Sequence, residues 1–202
     1  MNILITGRLA SITEAVSEEL SKRHKVVFAS DDIQPEQLGK QANRFKASPS
    51  DTDFERIFHS YHFQVVVYFA QPIFSGDEYY GEYADLEHCL ELCRIHECRR
   101  IIYIRPSVRS VSGGEQNNLF SVLYNASDLL ISYYREKKNL SILTVETPVL
   151  YGYGESSSVV GDAIEQSKNT AAIRFRGREE QTLGYLSQKD LGELLLRMAE
   201  NW

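Results

Sequence analysis

The first residues able to do chemistry stand at the end of the first apolar run, where Ile3-Leu4-Ile5 leads through Thr6-Gly7 into a stretch of helical spacing. At such a junction glycine lets the backbone come close to a phosphate. The helix N-terminus adds unpaired N–H groups and the positive end of a dipole. A complete dinucleotide-binding turn would place glycine at positions 7, 10 and 13; this chain has Gly7, Ala10 and Thr13. Gly7 keeps the tight turn. Ala10 adds a methyl where backbone should approach pyrophosphate, and Thr13 adds bulk where helix should pack on strand. Arg8, inside the turn, can meet a pyrophosphate or a 2′-phosphate, or simply face solvent.

Two further groups invite a chemical reading. Cys89, Cys93 and His96 recur at i, i+4 and i+7, with His88 and Cys98 nearby, and thiolate with imidazole suits zinc. The same spacing places small apolar side chains on the buried face of a helix, and no metal is expected there. The tyrosine-rich stretch from Asp77 to Tyr83 follows an apolar strand and could stack on a base or a sugar, or serve a partner surface.

The elements that must position these groups alternate. Residues 2–6, 25–29, 64–70, 100–104 and 141–146 read as strands, and 44–47 as a short one. Helices are expected from near Ser11, over 51–61, 82–97 and 117–138, weakly from Pro35, and at the C-terminal end over 189–201. Ser11 and Glu14 form a capping box. Val65-Val66-Val67-Tyr68-Phe69-Ala70 is apolar throughout, as in a parallel strand covered on both faces. Strand alternating with helix is the signature of an α/β fold, here a doubly wound parallel sheet in the order 3-2-1-4-5. The Tyr151-Gly152-Tyr153-Gly154 turn is the one marked change in composition, so residues 1–150 are expected to form a dinucleotide-binding-like domain and 151–202 a reduced substrate region.

Composition narrows the function. The chain has 202 residues, 43% apolar and 25% charged, with 22 basic against 28 acidic side chains. A net charge of −6 argues against a nucleic-acid partner. The longest apolar runs are far short of the roughly 20 residues a membrane span needs. The first residues carry no basic leader, and three cysteines within ten residues make no disulfide framework, so a cytoplasmic protein is expected.

Several segments, in order, resemble the extended short-chain dehydrogenase/reductase family, the nucleotide-sugar epimerases and dehydratases. They are "MNILITG" at the start, "VVVYFAQ" at 65–71, "CRRIIYIRPS" at 98–107, "LYGYGE" at 150–155 and "EEQTLGYLSQKDLGELLLRMAE" at 179–200. The resemblance implies NAD or NADP held by Gly7, Arg8, Ala10, Ser11 and Ile12 at the first turn, by Ser30 and Asp31 after the second strand, and by Ala70 and Gln71 after the fourth. It implies a catalytic Ser107 that polarises the substrate oxygen and a catalytic Tyr124 that moves its proton. It further implies a nucleotide-linked sugar as substrate and a homodimer built on the helices over 82–97 and 117–138.

Other family positions are altered. The lysine four residues after the tyrosine falls on Asp128, the ribose-binding acid on Ser30 with Asp31 and Asp32 beside it, and the adenine-side aspartate on Ser48. The family's N-x-x-G-T falls on Glu82, Asp85 and Leu86, and its arginine before the glycine turn on Glu146. A carboxylate one helical turn from Tyr124 is expected to raise the phenol pKa. Ser30 in place of an acid is expected to ease NADP slightly. Two classes therefore stay open: an NAD(P)-dependent epimerase, dehydratase or reductase with degraded motifs, and a non-catalytic relative that uses the fold for sensing or assembly.

Overall fold

The computed structural model describes residues 1–9, 14–33, 43–70, 76–107, 119–152, 159–169, 172–174 and 184–202. Six strands form one parallel sheet: β1 (Asn2–Gly7), β2 (Lys25–Ala29), β3 (Asn43–Phe45), β4 (Val65–Phe69), β5 (Arg100–Pro106) and β6 (Ser141–Thr147). Their spatial order is β3-β2-β1-β4-β5-β6, the expected order extended by one strand. The order reverses at β1, and in open α/β sheets the crevice at that point is where ligands bind.

Alternation along each strand divides the core in two. Leu4, Val27, Val66, Tyr68, Ile101 and Tyr103 point to one face. There they meet α2 (Thr52–Tyr61), α3 (Gly76–Ile95) and α4 (Leu119–Lys138) through Phe54, Phe58, Leu86, Leu90 and Ile131. Ile3, Ile5, Val26, Phe28, Val65, Val67 and Ile102 point to the other. That face is covered by α1 (Glu14–Ser21) and by the C-terminal helix α6 (Gln188–Glu200), through Val16, Leu20, Leu191 and Leu195. Every residue of β4 is buried, which is why its sequence shows no polar alternation.

Helix α3 ends in a left-handed turn at Glu97 (φ 56°), with the amide of Cys98 donating to the carbonyl of Cys93 at 2.8 Å. This closure brings Cys98 back onto Cys93, the apolar contact that commonly accompanies such a turn. All three cysteines are buried and free, and burial pushes the Cys93 thiol up. They serve as core side chains.

The structure adds three elements to those expected in the C-terminal region: α5 (Val159–Asn169), and β7 (Val149–Tyr151) paired in parallel with β8 (Tyr185–Ser187). Helix α3 also begins six residues before the expected position 82. Ser187 caps α6, its hydroxyl accepting from the amide of Asp190 at 3.0 Å. The expected cap at Ser11 and the weak helix from Pro35 lie outside the described residues.

Candidate functional site

The first turn is built around Gly7, whose φ of +89° is left-handed. The amide of Arg8 donates to the carbonyl of Phe69 at 2.9 Å, tying the turn to the end of β4. The amide of Leu9 donates to Asp32 Oδ1 at 3.0 Å. Ser30 is fully buried, and its hydroxyl donates to the carbonyl of Gly7 at 2.7 Å and contacts the Asp32 carboxylate. Asp32 therefore reaches back two residues from the serine to stand against the turn. Arg8 closes the group with a guanidinium nitrogen 3.9 Å from the other Asp32 oxygen.

This geometry changes the reading of the second strand's end. Ser30 bridges the second strand's end to the glycine turn, and Asp32 is the carboxylate that accepts from the turn's backbone. Asp31 is exposed beside it. Across the cleft, burial raises the carboxyl pKa of Asp85 on α3; its hydrogen bonds with Ser50 oppose the rise, Asp31 adds to it and Arg8 reduces it. Asp32 and Asp85 thus both interact with Arg8, and Asp31 acts on Asp85. Ala70 is buried after β4, its amide donating to the carbonyl of Ile104 at 2.8 Å. Ala10, Ser11, Ile12 and Gln71 lie outside the described residues.

The second half of the site centres on Arg105 in β5, a residue the sequence reading passed over. Its Nη1 lies 2.8 Å from Asp128 Oδ2 on α4, and its Nη2 lies 2.6 Å from Glu146 Oε1 on β6. The guanidinium also lies 5.5 Å from the centre of the Tyr124 ring. Ser107 follows the end of β5, its amide donating to the carbonyl of Thr147 at 2.8 Å. Tyr124 is 1% exposed, and its hydroxyl has no hydrogen-bond partner among the described residues, Ser107 included. Burial first and then the charge of Glu82 on α3 push its phenol up to about 12, while Arg105 draws it down.

The expected rise in the Tyr124 pKa is present, but its cause is corrected. Asp128 turns to Arg105, and the rise comes from burial and from Glu82. A signal for Arg105 was available. Two positions that the resemblance makes cationic, 128 and 146, are both acidic here, and Arg105 stands in β5 directly after its apolar run Ile101–Ile104. Charge reversed at two places requires a cation between them.

The residues at the first turn fit the adenosine ribose of a dinucleotide, because Asp32 offers a carboxylate acceptor beside the glycine turn. The residues at the second half do not fit the nicotinamide ribose as a lysine would hold it, because Asp128 is an anion already held by Arg105.

No protein-family model and no curated protein sequence matches the chain. Solved structures do match. The UDP-glucose 4-epimerase of Thermotoga maritima, solved with UDP-glucose, superposes with a TM-score of 0.75 at 18% identity, covering 95% of this chain and 71% of that one. The chain has a Rossmann fold. The UDP-glucuronic acid 4-epimerase of Bacillus cereus, in complex with NAD, gives a TM-score of 0.75 at 18% identity over 99% of this chain and 73% of that one. The UDP-glucose 4-epimerase of Brucella ovis, also with NAD, gives 0.77 at 12% identity over 99% and 73%. Among the described residues no helix is long and apolar enough to cross a membrane.

Proposed function

We propose that this protein is an epimerase-like Rossmann relative that binds a nucleotide-containing ligand and turns over ordinary nucleotide sugars very slowly or not at all. One observation carries the reading. Tyr124 is buried with its hydroxyl unpartnered among the described residues, while the residue one turn later is an aspartate bound to Arg105. A general base works best with its pKa near the operating pH. A phenol near 12 is almost wholly protonated at neutral pH. The expected loss is most of the hundred- to ten-thousandfold that a positioned base typically contributes.

The ligand best matched by the cleft is NAD rather than NADP. Asp32 can accept from a ribose hydroxyl, and Asp31, Asp32 and Asp85 together oppose a further phosphate with Arg8 as counter-charge. Ser30 by itself is expected to ease NADP slightly, and the carboxylates beside it weigh the other way. Calorimetric titration with NAD and NADP, paired with an epimerisation assay on UDP-glucose and UDP-glucuronic acid, tests the proposal. Heat with NAD at up to millimolar concentration and no measurable turnover is the expected result. Turnover in the ordinary range of about 1–1,000 per second would overturn it. So would an absence of heat with either cofactor.

Exposed Val122, Leu129 and Tyr133 recur on one side of α4 and support a homodimer through α3 and α4. Sedimentation of the wild type should show a dimer and Leu129→Glu a monomer; a monomeric wild type removes this part of the proposal.

A further inference from the structure

Arg105 is an uncommon residue to find inside a parallel strand. Its side chain is 11% exposed, so much of its charge is removed from water. An arginine in that position is stable only with charged partners and good geometry. It has two carboxylates, one from each neighbouring element, at 2.8 and 2.6 Å. Each takes a different Nη, so the guanidinium plane is fixed at two points. Its Nε is buried and has no hydrogen-bond partner among the described residues. The fixed plane lies over the ring of Tyr124, at a distance where a cation is attracted to the aromatic face.

We propose that Arg105 is the cationic partner of Tyr124 in this site, and that Asp128 and Glu146 are positioning residues that hold its guanidinium over the ring. The inference rests on the reading of Tyr124 as the site's tyrosine. It adds a role for three residues that the family pattern does not supply. The arrangement amounts to a charge exchange: the cation moves from the helix to the strand, and the anion takes the helix position.

Among the described residues, the charged and titratable groups around Tyr124 can be named. Glu82 comes from α3, Arg105 and Tyr103 from β5, and Asp128 from its own helix, with Glu146 behind the arginine on β6. Glu82 favours the neutral phenol and Arg105 the phenolate.

This makes the sign of one substitution decisive. If Asp128 acted directly on Tyr124, removing its charge would ease ionisation of the phenol. If Asp128 positions Arg105, removing its charge lets the guanidinium swing towards Glu146 and away from the ring, and ionisation becomes harder.

The test is a titration of position 124 alone, with a fluorinated tyrosine of lower intrinsic pKa incorporated there and followed by fluorine NMR. Arg105→Met is expected to raise the midpoint by about one unit, the lower end of what an adjacent opposite charge supplies. Arg105→Lys should restore part of that shift. Asp128→Asn should raise the midpoint as well, and should add nothing in the Arg105→Met background, as for residues acting through one another. A fall on Asp128→Asn, or the same shift with and without Arg105, overturns the proposal. Should Arg105→Met fail to fold, Arg105→Lys and Asp128→Asn still decide, by the same signs. No cofactor or sugar is present in this titration. Its failure is therefore distinct from a failure of ligand binding or of the turnover assay.

Discussion

A Cβ placed on Gly7 would lie 2.1 Å from the carbonyl oxygen of Phe69, well inside contact distance. The same oxygen accepts the amide of Arg8 at 2.9 Å, so it cannot move away without breaking the tie between the first turn and β4. The backbone at Gly7 is also left-handed, at φ +89°. The glycine is thus required by the sheet itself, whatever binds above it. Gly7→Ala should cost about 3 kcal/mol, from a strained backbone conformation of about 1–3 kcal/mol and the overlap with Phe69. Urea unfolding measures it. A loss below about 1 kcal/mol would show that the turn can rearrange.

This separates what was legible in the sequence from what was not. The strand order followed from apolar runs divided by helices, because burial on both faces writes itself directly into β1, β4 and β5. Gly7 was legible as a turn, but its steric reason, the carbonyl of Phe69, lies 62 residues away in the chain. Asp32 was visible only as a neighbour of the family position; that it folds back to the amide of Leu9 depends on Ser30 bridging to Gly7. Arg105 escaped because a local pattern assigns a strand residue to a face and does not say which charges meet it across two neighbouring elements. The β7–β8 pair joins segments 34 residues apart with only three residues on each strand, too short for any periodicity to register.

Asp32 offers a direct test of cofactor discrimination. Its carboxylate accepts from the amide of Leu9 at the glycine turn and lies 3.9 Å from a guanidinium nitrogen of Arg8. Asp32→Ser should weaken NAD binding about tenfold, the equivalent of one charge-assisted hydrogen bond of roughly 1.4 kcal/mol, and should narrow the gap to NADP. Titration of both cofactors against wild type and variant reads the ratio. An unchanged ratio would place the adenosine ribose elsewhere.

His24 gives a pH dependence whose sign is fixed. Its side chain is 7% exposed and lies 3.5 Å from Glu200, yet neither ring nitrogen makes a hydrogen bond among the described residues. Burial first, then the charge of the chain's N-terminus, lowers its pKa from 6.5, with Glu200 opposing. The folded state therefore takes up the proton later than the unfolded state. Stability from this group is complete above the unfolded value near 6.5 and is lost as the pH falls through and below it. Denaturation midpoints measured between about pH 7.5 and 5.5 should decline, by less than the limit of about 1.4 kcal/mol per pH unit for one proton. His24→Gln should flatten that decline. A midpoint that rises on acidification would mean that Glu200 captures the protonated ring and outweighs burial.

The C-terminal helix packs on α1 through a close approach at Gly192. A Cβ at Gly192 would lie 2.9 Å from the Cβ of Glu19 and 3.2 Å from the Cα of Val16. These atoms sit at the root of a side chain and in the backbone of α1, so neither can yield by a rotamer change. Two effects then compete in a substitution. Replacing glycine in a helix interior gains about 1 kcal/mol from backbone entropy. Forcing atoms into a packed contact costs about 1–3 kcal/mol, more as the side chain grows. Gly192→Ala should fall near balance, and Gly192→Leu should lose about 2 kcal/mol as α6 is pushed off α1. The loss reaches the sheet, because Leu191 and Leu195 are both fully buried beside Ile3 and Val65. Hydrogen exchange resolves where it acts: amides of α6 should lose protection in Gly192→Leu while those of β4 and β5 keep theirs. Uniform loss across the sheet would instead mean that α6 and the six strands unfold as one cooperative unit.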